Sequence, residues 1–132
     1  MTEEEFNALV DRRLDLIREV LITKGKEYRR NSDPLHNFNV ASRVNNTTRE
    51  KALWGFALKH YVSFLDMLDD IEKNKLPKKE YVEEKIGDLI NYLILCEASI
   101  KDRMINDSRS LFDILEDQNN IFKWTTPINP KR

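Results

Sequence analysis

The sequence predicts an all-α protein: an antiparallel bundle of three long helices with short helices beside them, completed by oligomerisation. Three observations carry this expectation. Apolar residues recur at helical spacing along three long runs. Capping signals stand at the head of two of them. Only three glycines and four prolines occur in 132 residues, with Pro127 and Pro130 close to the C-terminus, which leaves too few turn formers for a sandwich or barrel of many short strands. A chain of this length makes about one domain. Its 40% hydrophobic and 34% charged residues suit a folded chain that is neither disordered nor embedded in a membrane.

The elements follow in order. Thr2 with Glu5 three residues on forms a capping box, and Phe6, Leu9, Val10, Leu14, Ile17, Val20 and Leu21 continue at helical spacing, so a first helix is expected over residues 2–30. The stretch NSDPLHNFNVASRVNN reads as a loop with at most one short helix over 35–44, anchored by Leu35, Phe38 and Val40. Thr47 and Glu50 form a second capping box that opens a central helix reaching residue 75. Leu76-Pro77 breaks that helix, and Pro77 introduces a third long pattern to about residue 106. Asp107 or Ser108 is placed to cap a fourth short helix over 111–115. Residues 1–118 thus form one helical domain, and 119–132 an irregular tail in which Phe122 and Trp124 could latch onto a neighbour.

Charge narrows the function. Twenty-two basic and 23 acidic residues give a net charge of -1, so no global field draws the chain to nucleic acid or to an anionic membrane, and phosphate binding has to be local. The single cysteine, Cys96, cannot form an internal disulfide and sits in an apolar helical run, as a small buried thiol in a reducing compartment does. The acidic MTEEEF start lacks a signal-peptide core, and the apolar runs are far shorter than the roughly 18 residues a membrane span requires. A cytoplasmic location is expected.

The informative residues are polar ones on faces that should be apolar. Glu84, Asp88 and Asn91 share one side of the third helix, flanked by Tyr81, Tyr92 and Leu95. Two carboxylates at i and i+4 repel, and a divalent cation removes that cost; Mg²⁺ in particular takes a few side-chain oxygens and completes its shell with water and substrate phosphates. Gly87, inside a strong helix, needs a reason for its missing side chain, either a neighbouring helix or a ligand beside Asp88. His60 lies on the apolar side of the central helix, as a core histidine or as a contact for phosphate or base, with Lys59, Asp66 and Asp70 on an adjoining stripe. At the end of the first helix Lys24, Glu27 and Tyr28 continue a stripe that was apolar before them. Arg29, Arg30, His36, Asn37 and Asn39 follow, and together they offer cations, amides and an aromatic face suited to a nucleotide. No glycine-rich phosphate loop, GxSxG, HExxH or CxxC is present.

The order KGKEY (24–28), DPLHNF (33–38), ALWGFALKHYVSFLDM (52–67), LP and EKIGDLINYLIL (84–95) resembles short bacteriophage proteins of the MazG-like kind, which are similar to the all-α nucleoside triphosphate pyrophosphatases. The resemblance spans roughly residues 9–100, and EKIGDLINYL is similar to the second acidic motif of that superfamily. It implies a helical, usually oligomeric fold and Mg²⁺-dependent hydrolysis between the α and β phosphates of a nucleotide, with Asp88 and Glu84 holding the metal. Two departures are plain. Lys85 stands where the family's ExxD has its glutamate, leaving Glu84 at ExxxD, and LKHYVSFLDMLDD stands where the family has EExxE, with Asp66, Asp69 and Asp70 as its carboxylates.

The site expected from these readings has Glu84 and Asp88, aided by Asp66 or Asp70, as Mg²⁺ ligands. Lys24, Lys59, Arg29 and Arg30 face the phosphates. Tyr28, His36, Asn37, Asn39, His60 and Asn91 contact base or sugar, and Glu27 or a metal-shell carboxylate serves as base for an attacking water. The expected partner is a nucleotide, with a second copy of the chain forming a dimer or tetramer, in the host cytoplasm if the protein is phage-encoded. The alternatives are a binding protein without turnover, such as a phage sponge for nucleotide signals or a regulator, and a helical interaction module.

Overall fold

The computed structural model describes residues 1–125, except the side chains of Tyr28 and of residues 119–125. It is all-α, with no strand among the described residues: α1 (Glu3–Arg18), α2 (His36–Val44), α3 (Arg49–Glu72) and α4 (Lys79–Thr125). The expected capping box opens α1. Thr2 Oγ1 accepts from the Glu5 amide at 3.2 Å, and Glu5 Oε2 accepts from the Thr2 amide at 2.8 Å.

The first helix is shorter than the apolar pattern suggested, because the chain changes pitch at its end. A π-helical turn over Glu19–Thr23 leads into a 3₁₀ turn over Lys24–Tyr28. Such turns re-aim the side chains that follow them. Asn31 and Ser32 then adopt left-handed backbone, with φ of 54° and 62°, and turn the chain towards α2. Asn46 and Asn74 take the same conformation after α2 and α3. Behind Asn74 the Lys75 amide donates to Asp70 O at 2.8 Å and the Asn74 amide to Ile71 O at 2.9 Å, the paired bonds of a Schellman cap with asparagine in the usual glycine position.

Thr48 rather than Thr47 caps α3, accepting from the Lys51 amide at 3.3 Å. Glu50 does not reach back to complete a box, because its Oε1 accepts from Ser99 Oγ at 2.8 Å. The fourth short helix is absent as a separate element: α4 runs on through Asp107, and Ser108 Oγ donates to Met104 O at 2.8 Å instead of capping a new start. The tail expected from residue 119 therefore begins within α4, and residues 126–132 lie outside the described residues.

Two compact units are present, Met1–Ser99 and Ile100–Arg132. In the first, the buried side chains are few: Leu35, Ala52, Leu53, Ala57 and Met67 among the apolar residues and Asn91 and Ser99 among the polar ones. Charged groups fasten α1 to α4. Arg12 grips Glu83 through Nε at 2.6 Å and Nη2 at 2.9 Å, and Arg13 Nη2 donates to Glu83 O at 3.0 Å. The Arg13 guanidinium fills the space that a Cβ on Gly87 would need. Close approach by α1 thus accounts for that glycine. A half-buried polar chain ties the remaining elements. Asp33 accepts from Asn39 Nδ2 at 3.1 Å, Asn39 Oδ1 from Arg49 Nη1 at 3.3 Å, and Arg49 donates to Ser99 Oγ at 2.7 Å and to Ser99 O at 2.8 Å. This chain joins the loop, α2, the start of α3 and α4, and ends on the buried Ser99. No helix among the described residues is long and apolar enough to cross a membrane.

Candidate functional site

The change of pitch after α1 has a consequence for the interior. Where α1 ends, the π and 3₁₀ turns, the loop before α2, α2 itself, Phe56 of α3 and the middle of α4 surround a cavity of about 890 Å³. That volume is in the range of small-molecule sites. Val20, Leu21, Val40, Ala41, Val44 and Leu95 supply apolar wall, while the ring of Phe38 meets that of Phe56 edge-on at 5.7 Å.

Seven of the residues singled out in the sequence line this cavity: Lys24, Glu27, Arg29, His36, Asn37, Asp88 and Asn91. They come from three separate elements. The 3₁₀ turn brings Lys24 and Glu27 round to the cavity after the apolar part of α1 has finished packing, and α2 presents His36 and Asn37 in its first turn. Arg29 Nη2 is braced on Leu21 O at 3.0 Å, and Lys24 Nζ lies 3.1 Å from Glu19 Oε1.

The α4 wall holds the most constrained groups. Asn91 is 8% exposed, and its Oδ1 is a buried acceptor with no hydrogen-bond partner among the described residues. An orphaned buried acceptor costs free energy of about 1–3 kcal/mol, which a ligand donor or a cation recovers. One turn earlier, Asp88 Oδ2 lies 3.1 Å from His60 Nδ1, and the imidazole is tilted against the Tyr92 ring at 5.2 Å. Burial holds the His60 imidazole below its ordinary range, with Asp88 opposing that shift and Lys59 and Lys85 adding to it. Burial raises the Tyr92 phenol, and Asp88 adds to it. His60 backs Asp88 without lining the cavity.

The other expected residues sit elsewhere. Glu84 is exposed, accepts from Lys85 Nζ at 2.6 Å, and is held below the usual carboxylate range by that bond. Asp66 and Asp70 are exposed, Asp70 3.9 Å from Lys75 Nζ. Lys59 is exposed, Arg30 pairs through its backbone with Asp33, and both amide atoms of Asn39 serve the half-buried polar chain. The Tyr28 side chain, with those of Phe122 and Trp124, lies outside the described residues. Cys96 is half-buried, and burial raises its thiol. No group of three or more histidine, cysteine or acidic side chains among the described residues is arranged to hold a metal.

Sequence reasoning missed the Arg49–Ser99 pair and Phe56. Ser99 was legible by the same signal that drew attention to Asn91, a polar residue on an apolar stripe. No protein-family model matches this chain, and neither a curated protein nor a solved structure matches it.

Proposed function

We propose that this chain is a MazG-like nucleotide-binding protein whose cavity takes a nucleoside triphosphate and, with Mg²⁺, hydrolyses it to the monophosphate and pyrophosphate. The observation that carries the reading is the convergence of cations, amides and Asp88 on a largely apolar cavity with an unpaired acceptor, Asn91 Oδ1, buried in its wall. Lys24 and Arg29 supply positive charge for the phosphates, and Arg29 offers a planar fork suited to them. His36 and Asn37 present ring and amide groups to base or sugar, and Asn91 Oδ1 accepts from a ligand N–H or O–H.

No preformed cluster of three metal-binding side chains is arranged among the described residues, so a magnesium ion here would lean on its substrate and on the cavity's carboxylates. Asp88, with Glu27 as a second carboxylate lining the same cavity, would hold Mg²⁺, which characteristically takes one or two carboxylates and fills its shell with water and phosphate oxygens. When bound, the ion supplies charge neutralisation and an acidified water. Glu27 lines the cavity and would accept a proton from the attacking water.

A second reading, binding without turnover, is favoured by one feature: Glu84 is committed to Lys85, outside the cavity lining, which leaves fewer carboxylates than a two-metal mechanism uses. One experiment separates the two. Purified protein is mixed with a nucleotide panel and Mg²⁺, pyrophosphate release is followed, and the melting temperature is read in parallel for wild type and for Asn91→Leu and Asp88→Ala. Release that is lost in Asp88→Ala supports hydrolysis. A thermal shift without release supports capture, and indifference of the wild type to every nucleotide overturns both.

A further inference from the structure

We propose that α3 is the interface of an antiparallel homodimer, in which Lys51 of each copy meets Glu72 of the other. Trp54, Leu58, Tyr61, Leu65 and Leu68 alternate by four and three residues, the spacing that keeps one stripe of a helix against a partner helix. All five are between 39% and 45% exposed, and the rings of Trp54 and Tyr61 lean together at 5.9 Å along the stripe. Leu53, Ala57 and Met67 fill the buried side of α3, so this stripe is additional to the one the chain covers itself. A continuous apolar band of this length is more than a folded chain leaves in water without use.

Three features of α3 specify a second copy, reversed in direction, as the occupant. First, the same spacing continues to Lys51 at one end and to Glu72 at the other. Two-fold antiparallel pairing about the midpoint of that span sets Leu58 against Leu65, and Lys51 against Glu72, twice over by symmetry. Secondly, the last turn of α3 is acidic, with Asp69, Asp70 and Glu72; Lys75 lies 3.9 Å from Asp70 within the chain, and in the proposed register Lys51 of the second copy complements Glu72. Thirdly, Gly55 stands in the helix interior, where glycine is unfavourable, yet a Cβ there would meet nothing within 4 Å. No contact among the described residues explains it. In the proposed register Gly55 falls opposite Leu68 of the second copy, where a missing side chain lets the helices close.

Sedimentation velocity over a hundredfold concentration range tests the pairing and its register. Wild type is expected to sediment as a dimer or an even multiple of one. Lys51→Glu and Glu72→Lys each set like charges together twice, and each is expected to weaken association about tenfold. The double reversal restores it. Both positions are exposed, so far-ultraviolet circular dichroism should show unchanged helix content in all three variants. A monomeric wild type overturns the proposal, as do single reversals that leave the mass unchanged or a double reversal that fails to restore it. Nucleotide binding is not an element of this inference and can fail independently.

Discussion

Asn91, His60 and Gly87 show how one kind of anomaly, a residue unsuited to its helical position, resolves in three different ways. Gly87 is answered within the chain, by the Arg13 side chain lying across it. Asn91 keeps an unanswered acceptor in a cavity wall. His60 is intermediate, backed against Asp88 at 3.1 Å and packed on Tyr92. Burial lowers its proton affinity from the ordinary 6.5, and the neighbouring carboxylate only partly offsets that. The sign of the linkage follows. Above 6.5 the imidazole is neutral in both folded and unfolded chains; as pH falls below that value the unfolded chain binds the proton first, so stability declines until the folded imidazole is also protonated. Asp88→Asn removes the opposing charge and is expected to move the His60 titration further down, read from its ring C–H resonances by NMR. An upward movement would show that Asp88 does not act on His60 as a charge.

Helix ends account for much of what the sequence made legible and for much of what it hid. Thr2 and Glu5 announced the start of α1 because a capping box is local, its partners three residues apart. The stops at Asn46 and Asn74 are also local, yet they use asparagine, which accepts the left-handed backbone less readily than glycine and signals it less clearly. The π turn at Glu19–Thr23 left no mark in the apolar spacing, since the residues it displaces, Lys24 and Glu27, already read as polar intruders. The long α4 concealed its continuity behind Asp107 and Ser108, good caps that remain inside a helix when nothing breaks the pattern after them. A cap prediction can be checked directly. Asn74 has a φ of 60°, so Asn74→Gly is expected to leave stability within about 0.5 kcal/mol of wild type, whereas Asn74→Val, β-branched in a left-handed position, is expected to cost about 1–2 kcal/mol in urea denaturation.

For the whole molecule, what can be read from the residues alone is the helical class and some of the polar residues turned inward, Asn91 and His60 among them; what cannot is which others face solvent, as Glu84, Asp66, Asp70 and Lys59 do, and which of the inward ones meet. Lys24, His36 and Asn91 reach one cavity only because the pitch change, the Asn31-Ser32 turn and the Asp33–Asn39–Arg49–Ser99 chain bring three elements together, and non-local pairings of that sort leave no periodic trace. Among the described residues five apolar ones are buried, while many large ones on α1, α3 and α4 stay at least a third exposed. So thin an interior makes folding depend on covering that surface, and a chain that covers it with a second copy is stabilised by mass action. The melting temperature is then expected to rise with protein concentration. A hundredfold increase supplies about 1.4 kcal/mol per chain, enough to raise the transition by about 5 °C for a domain of this size. Differential scanning calorimetry at the two concentrations measures it. A transition that stays fixed would mean that each chain folds alone and that its half-covered apolar stripes contribute nothing to stability.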